Sequence, residues 1–130
     1  MRITDLKKWD CYFAPYPKGK HHRIILIDKD EDAGVLQFLT IQSFIDKVPV
    51  KYSYISIPKH FWDCELTNSF SFIVCEASSI VTIEINTFIN LLNQGKINQK
   101  QIPDIILSDI KKGILKSVTF TDEEKKKILD

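Results

Sequence analysis

The chain has 130 residues, with 18 Lys and Arg against 17 Asp and Glu, for a formal net charge of +1. At 44% hydrophobic and 27% charged residues, it has the composition of one globular domain with a real core, which excludes a disordered chain. The near-balance of charge also excludes a protein coated in positive field, so any nucleic-acid site must be a local patch.

The first two-thirds read as short strands. Cys11–Ala14 is apolar and aromatic, and Pro15 to Lys20 then breaks it, because proline lacks a donor and glycine permits turns. His22–Ile27 is a branched apolar run flanked by charges, the mark of a buried strand. Asp28–Gly34 reads as a polar loop ending in glycine, so Val35–Phe44 is expected to pair back as a hairpin. That second run is long enough to bend in the middle. Lys51–Ile57 alternates, and Phe70–Cys75 and Ile80–Ile85 flank Glu76–Ser79, which suits a four-residue hairpin connection. No long helix intervenes, so antiparallel pairing follows, and closure into a small barrel removes exposed edges.

The last third changes period. Asn86 suits a cap for a helix over Thr87–Asn93, with Phe88, Leu91 and Leu92 on one face and Gly95 past its end. Pro103 suits the first turn of a second helix, with Ile106 and Ile110 four apart and Gly113 as its stop. Thr121 and Glu124 match a capping box for a terminal helix that buries Ile128 and Leu129. The expectation is one domain over 1–130, with a strand-rich barrel at 1–85 and helices at 86–130 packed on it. Its class is α+β, mainly β.

The densest chemical feature is Lys18-Gly19-Lys20-His21-His22-Arg23, five potential cations in six positions on a loop entering a strand. Lysine offers a flexible point charge to phosphate, arginine a bidentate fork, and histidine a proton carrier. RNA cleavage by its own 2′-hydroxyl needs a base, an acid and cationic stabilisation of the phosphorane, and no metal. The plain alternative is a solvated turn whose charges oppose the acidic loop at Asp28–Asp32. Tyr16, two residues before the cluster, is placed to stack on an unpaired base. Phe13 and Tyr54 fit a core better. Trp9, Tyr12, Tyr52, Phe61 and Trp62 are further aromatic residues. Ser43, Ser53, Thr67, Asn68 and Ser69 are polar residues near strand ends.

His21, His22 and His60 lack the spacing and cysteine partners of a zinc site. Asp28, Asp30 and Asp32 alternate as in a calcium loop but lack its glycine and closing glutamate. No P-loop, dinucleotide fingerprint or nucleophile elbow is present. No metal or cofactor is therefore expected. Cys11, Cys64 and Cys75 are an odd set without CxxC spacing, which fits a reducing cytosol and buried, hydrophobe-like thiols. No apolar stretch resembles a signal peptide or a membrane span. A soluble, cytoplasmic protein without membrane contact is expected.

Read in order, several segments resemble the PemK/MazF family of toxins from toxin–antitoxin modules. Trp9-Asp10-Cys11-Tyr12-Phe13-Ala14-Pro15-Tyr16-Pro17 is similar to that family's first strand and the phosphate-facing loop after it. Lys20 to Ile27 resembles its basic residue, Arg-Pro and apolar strand. Phe38-Leu39-Thr40-Ile41-Gln42-Ser43 resembles its strand ending in Thr-Ser, and Gly113 to Ile128 its closing strand and helix. Asp10 and Ser43 match. His22 stands where the family has its catalytic arginine, Arg23 where it has proline, and Gln42 where it has threonine. The resemblance implies an SH3-like barrel, a homodimer, and a metal-independent endoribonuclease of single-stranded RNA restrained by an acidic antitoxin protein. In that reading His22 is general acid or base, Arg23 and Lys20 stabilise the phosphorane, and Ser43 and Gln42 orient the phosphate. Tyr16, Lys18 and His21 hold the RNA. The alternative is a barrel that binds a protein partner or RNA without cleaving it, in a defence or regulatory operon.

Overall fold

A computed structural model describes residues 5–16, 19, 21–43, 54–57 and 71–130, and only the backbone at 42–43, 54–57 and 71–72. The strands in chain order are β1 (Cys11–Ala14), β2 (His22–Asp30), β3 (Val35–Ser43), β4 (Tyr54–Ile57), β5 (Ser71–Val74), β6 (Ile80–Glu84) and β7 (Asn98–Lys100). The α-helices are α1 (Ile85–Asn93), α2 (Asp104–Lys116) and α3 (Asp122–Leu129). The class is α+β, mainly β, and every pairing with a defined register is antiparallel. Contacts divide the chain into two compact units, residues 1–40 with 80–101 and residues 41–79 with 102–130. The division is interleaved because distant strands pair: α1 belongs with β1 and β2, not with the later helices.

In the first unit the ladder runs β7-β1-β2-β3, with β6 also on β3. Cys11 lies opposite Ile25 and Lys100, Ala14 opposite His22, and Leu39 opposite Ile80. Alternate residues of the strands enter one core: Tyr12 and Ala14, Ile24 and Leu26, Leu36 and Phe38. Phe88 of α1 completes it, its ring 5.1 Å from Tyr12 and 5.0 Å from Phe38. Burying each of the larger side chains among these contributes about 2 kcal/mol. The ladder does not close into a barrel, because α1 covers the apolar face that a barrel's far wall would cover.

Local corrections follow from hydrogen bonding. β2 continues to Asp30, so Asp28, read as a loop residue, is a buried strand residue. The turn after it closes with the Ala33 amide on Asp30 Oδ1 at 3.0 Å and Gly34 at φ +70°. α1 starts at Ile85, two residues before the expected start, and Asn86 is not its cap. β6 runs straight into it because the Ile85 amide donates to the Gly34 carbonyl (3.0 Å), satisfying an end group without a side-chain cap. The helix ends as expected. Gly95 at φ +75° lets its amide reach Leu92 and the Lys96 amide reach Leu91, a Schellman motif.

In the second unit the last residues of β3 pair with β5, and β5 with β4, placing Ile41 opposite Ile73 and Ile55 opposite Ile73 from the other side. β5 and β6 each pair with β3 and not with each other, so Glu76–Ser79 is not a hairpin connection. Ala77–Ser79 forms a 3-10 turn instead. α2 buries Ile106, Ile110, Gly113 and Ile114 along one stripe. It passes through Gly113 to Lys116, because that glycine sits on the buried stripe rather than at an end. α3 begins at the expected capping box. The Glu124 amide donates to Thr121 Oγ1 (3.1 Å), and the Thr121 amide to Glu124 Oε1 (3.0 Å).

Candidate functional site

Of the predicted site residues, Tyr16 and His21 lie in the loop between β1 and β2, His22 and Arg23 open β2, and Gln42 and Ser43 end β3. β1 stops at Pro15, where the Tyr16 amide turns back onto the Ala14 carbonyl at 2.9 Å. That tight turn presents the Tyr16 carbonyl to His22, whose Nδ1 lies 2.8 Å away. A carbonyl only accepts, so Nδ1 carries the proton and the lone pair of the neutral ring sits on Nε2. His22 is half-buried, and the Tyr16 ring packs against the core of the first unit. Gly19 is exposed at φ +76°, the left-handed backbone that lets the basic loop reverse. Lys18 and Lys20 on either side of it lie outside the described residues, as do His60, Cys64, Tyr52, Ser53, Phe61, Trp62, Thr67, Asn68 and Ser69. The side chains of Gln42, Ser43 and Tyr54 are likewise outside them.

The structure separates residues that are adjacent in sequence. Successive strand residues project to opposite faces, so His22 points to the core side with Ala14, and Arg23 to the other with Phe13. Phe13, expected in the core, is half-buried on that second face. His21 lies on the same side as Phe13, exposed, with its ring tilted 32° and centred 5.2 Å from the Phe13 ring. Arg23 is only 4% exposed. His22 and Arg23 therefore do not converge on one phosphate, and Arg23 does not offer the open fork that phosphate capture needs.

The two described thiols, Cys11 and Cys75, are poorly suited as nucleophiles. Burial pushes Cys11 up to about 12, against the opposing pull of the Arg23 and Lys100 cations. Burial raises Cys75 to about 12 as well, and the Glu76 carboxylate adds to it. A neutral thiol is a poor nucleophile. Asp10, at the end of β1 remote from His22, takes a long 3.5 Å hydrogen bond from the Tyr12 hydroxyl. Among the described residues no group of three or more His, Cys, Asp or Glu side chains is disposed to hold a metal ion. Among them also, no helix is long and apolar enough to cross a membrane.

One polar constellation has no sequence signature. Glu76, 1% exposed, accepts from the Ser117 hydroxyl at 2.5 Å, from the Thr119 hydroxyl, and from the Thr119 amide at 3.3 Å. Thr119 Oγ1 in turn accepts from the Ala77 amide at 2.9 Å. These bonds tie the 3-10 turn to the connector between α2 and α3. A glutamate in a polar loop reads as exposed, so only the partners forty residues on reveal it. Its hydroxyl and amide donors are those of a structural tie.

No protein-family model matches this chain, and no curated protein matches it either.

Proposed function

We propose that the chain acts on single-stranded RNA at the β1–β2 loop, as a metal-independent endoribonuclease with His22 as proton acceptor. The observation that carries this reading is the hydrogen bond from His22 Nδ1 to the Tyr16 carbonyl, which orients the ring and assigns the basic lone pair to Nε2. His22 takes the 2′-hydroxyl proton, the 2′-oxygen attacks phosphorus, and the bond to the 5′-oxygen breaks as that oxygen takes a proton from solvent. Lys18 and Lys20 supply charge to the phosphorane in place of Arg23. The exposed ring of His21, backed by Phe13, lies on the other face from His22, so a base stacked there belongs to a nucleotide away from the one cut. In its biological form this protein is the cytoplasmic toxin of a toxin–antitoxin pair, a homodimer restrained by an acidic antitoxin over the basic loop.

The test is incubation of the full chain with single-stranded RNA in the presence of a chelator. Wild type is expected to leave 2′,3′-cyclic phosphate ends and His22→Ala to leave RNA intact. Cleavage that survives His22→Ala refutes the assignment. The burial of Arg23 favours a second reading, RNA binding without turnover. RNA retained by the wild type but never cut selects that reading, and no retention at all removes both.

A further inference from the structure

The outer face of α2 carries a feature that the RNA reading does not use. Ile105, Ser108, Lys112 and Leu115 follow one another at three- and four-residue steps, so they form a single stripe opposite the buried one. Its apolar members are open to solvent: Ile105 is 56% exposed, Leu115 59%, and Val118, just past the helix, 82%. No other large hydrophobic residue among those described is so exposed. Around the C-terminal end of the stripe the charge has one sign. Between Ile110 and Thr121 the sequence has Lys111, Lys112 and Lys116 and no acid. Lys125 of α3 adds a fourth cation there, its Nζ held 2.9 Å from the Leu115 carbonyl. The acids of α2, Asp104 and Asp109, flank Ile105 at the other end of the stripe, and those of α3 lie in its first turn.

We propose that this stripe and the α2–α3 connector form a docking surface for an acidic peptide segment with aliphatic anchors, contributed by a partner protein. The proposal goes beyond the RNA reading and stands without it. Charge complementarity selects an acidic occupant at the Leu115–Val118 end, where Lys111, Lys112, Lys116 and Lys125 flank the apolar residues as a polar rim surrounds an interface centre. The apolar residues select peptide over nucleic acid, because Ile, Leu and Val offer no π face for base stacking. Lipid is disfavoured by the absence of Trp, Tyr or Phe from the patch.

The probe is a displayed random peptide library selected against the full chain. Retained peptides are expected to be rich in Asp and Glu with spaced Leu, Ile or Val. Their affinity by fluorescence anisotropy is expected to fall about tenfold in Leu115→Ser/Val118→Ser and in Lys112→Glu/Lys116→Glu. All four positions are exposed, so thermal melts of both variants are expected to match wild type. If the double apolar variant shifts the melt, Val118→Ser alone repeats the comparison. Retention of no peptide, or of peptides indifferent to both variants, overturns the proposal. Binding of single-stranded RNA or phosphatidylserine vesicles that needs Lys112 and Lys116 but not Leu115 and Val118 overturns it too.

Discussion

Glu76 takes its hydrogen bonds from hydroxyls and an amide, and that makes its removal costly in a specific way. Glu76→Ala leaves the buried Ser117 hydroxyl without its acceptor, and the expected cost is about 3 kcal/mol by urea denaturation. Glu76→Gln keeps one acceptor oxygen and is expected to lose less. The thiols behave oppositely, since burial protects them. Cys11 and Cys75 have folded-state values near 12 against an ordinary 9.0. The folded chain therefore holds protons that the unfolded chain releases first. Their contribution to stability is whole below pH 9 and is lost as pH rises toward 12. At neutral pH, alkylation of the Cys11 and Cys75 peptides, read by mass spectrometry, is expected only after denaturant is added.

Helix ends divide into those written in side chains and those written in backbone. The capping box of α3 is local, and Thr121→Ala is expected to cost about 1 kcal/mol, read as a lower melting temperature. Gly95 is equally local: nothing lies within 4 Å of a Cβ built there, so the cost of Gly95→Ala is conformational alone, about 1 kcal/mol. Both features were legible in the sequence for that reason. The start of α1 was not, because its first amide is satisfied by Gly34, a residue fifty positions earlier. The hairpin expected at Glu76–Ser79 failed likewise: turn composition shows that a chain bends, not which strand it next joins. The divergence of His22 and Arg23 is different. It follows from strand alternation alone, once the strand's first residue is known to be His22. The candidate site was legible as a loop and a set of residue types, and the opposed facing of His22 and Arg23 follows from the strand read at His22–Ile27. The bond from His22 to the Tyr16 carbonyl was not legible.

Across the whole chain a net charge of +1 limits how salt can act. If two or three lysines and histidines of the loop neutralise phosphates, log affinity for single-stranded RNA falls against log salt with a slope of about −1.4 to −2. A filter-binding titration reads it, and a much steeper slope means that charges outside the loop take part. The pairing of β1 with β7 closes the largest sequence gap in the first unit, so that unit's ladder is expected to complete late in folding. β7 itself, Asn98-Gln99-Lys100, was invisible to hydropathy because it has no apolar residue. Its polarity has a consequence for solubility. Ile24-Ile25-Leu26-Ile27 is the sort of uncharged, branched run that templates fibril growth when its backbone is left open. Strands β1 and β3 flank that run, and the ladder then terminates in three hydrophilic residues, the last a lysine. The strand least like a strand is the gatekeeper at that end of the ladder.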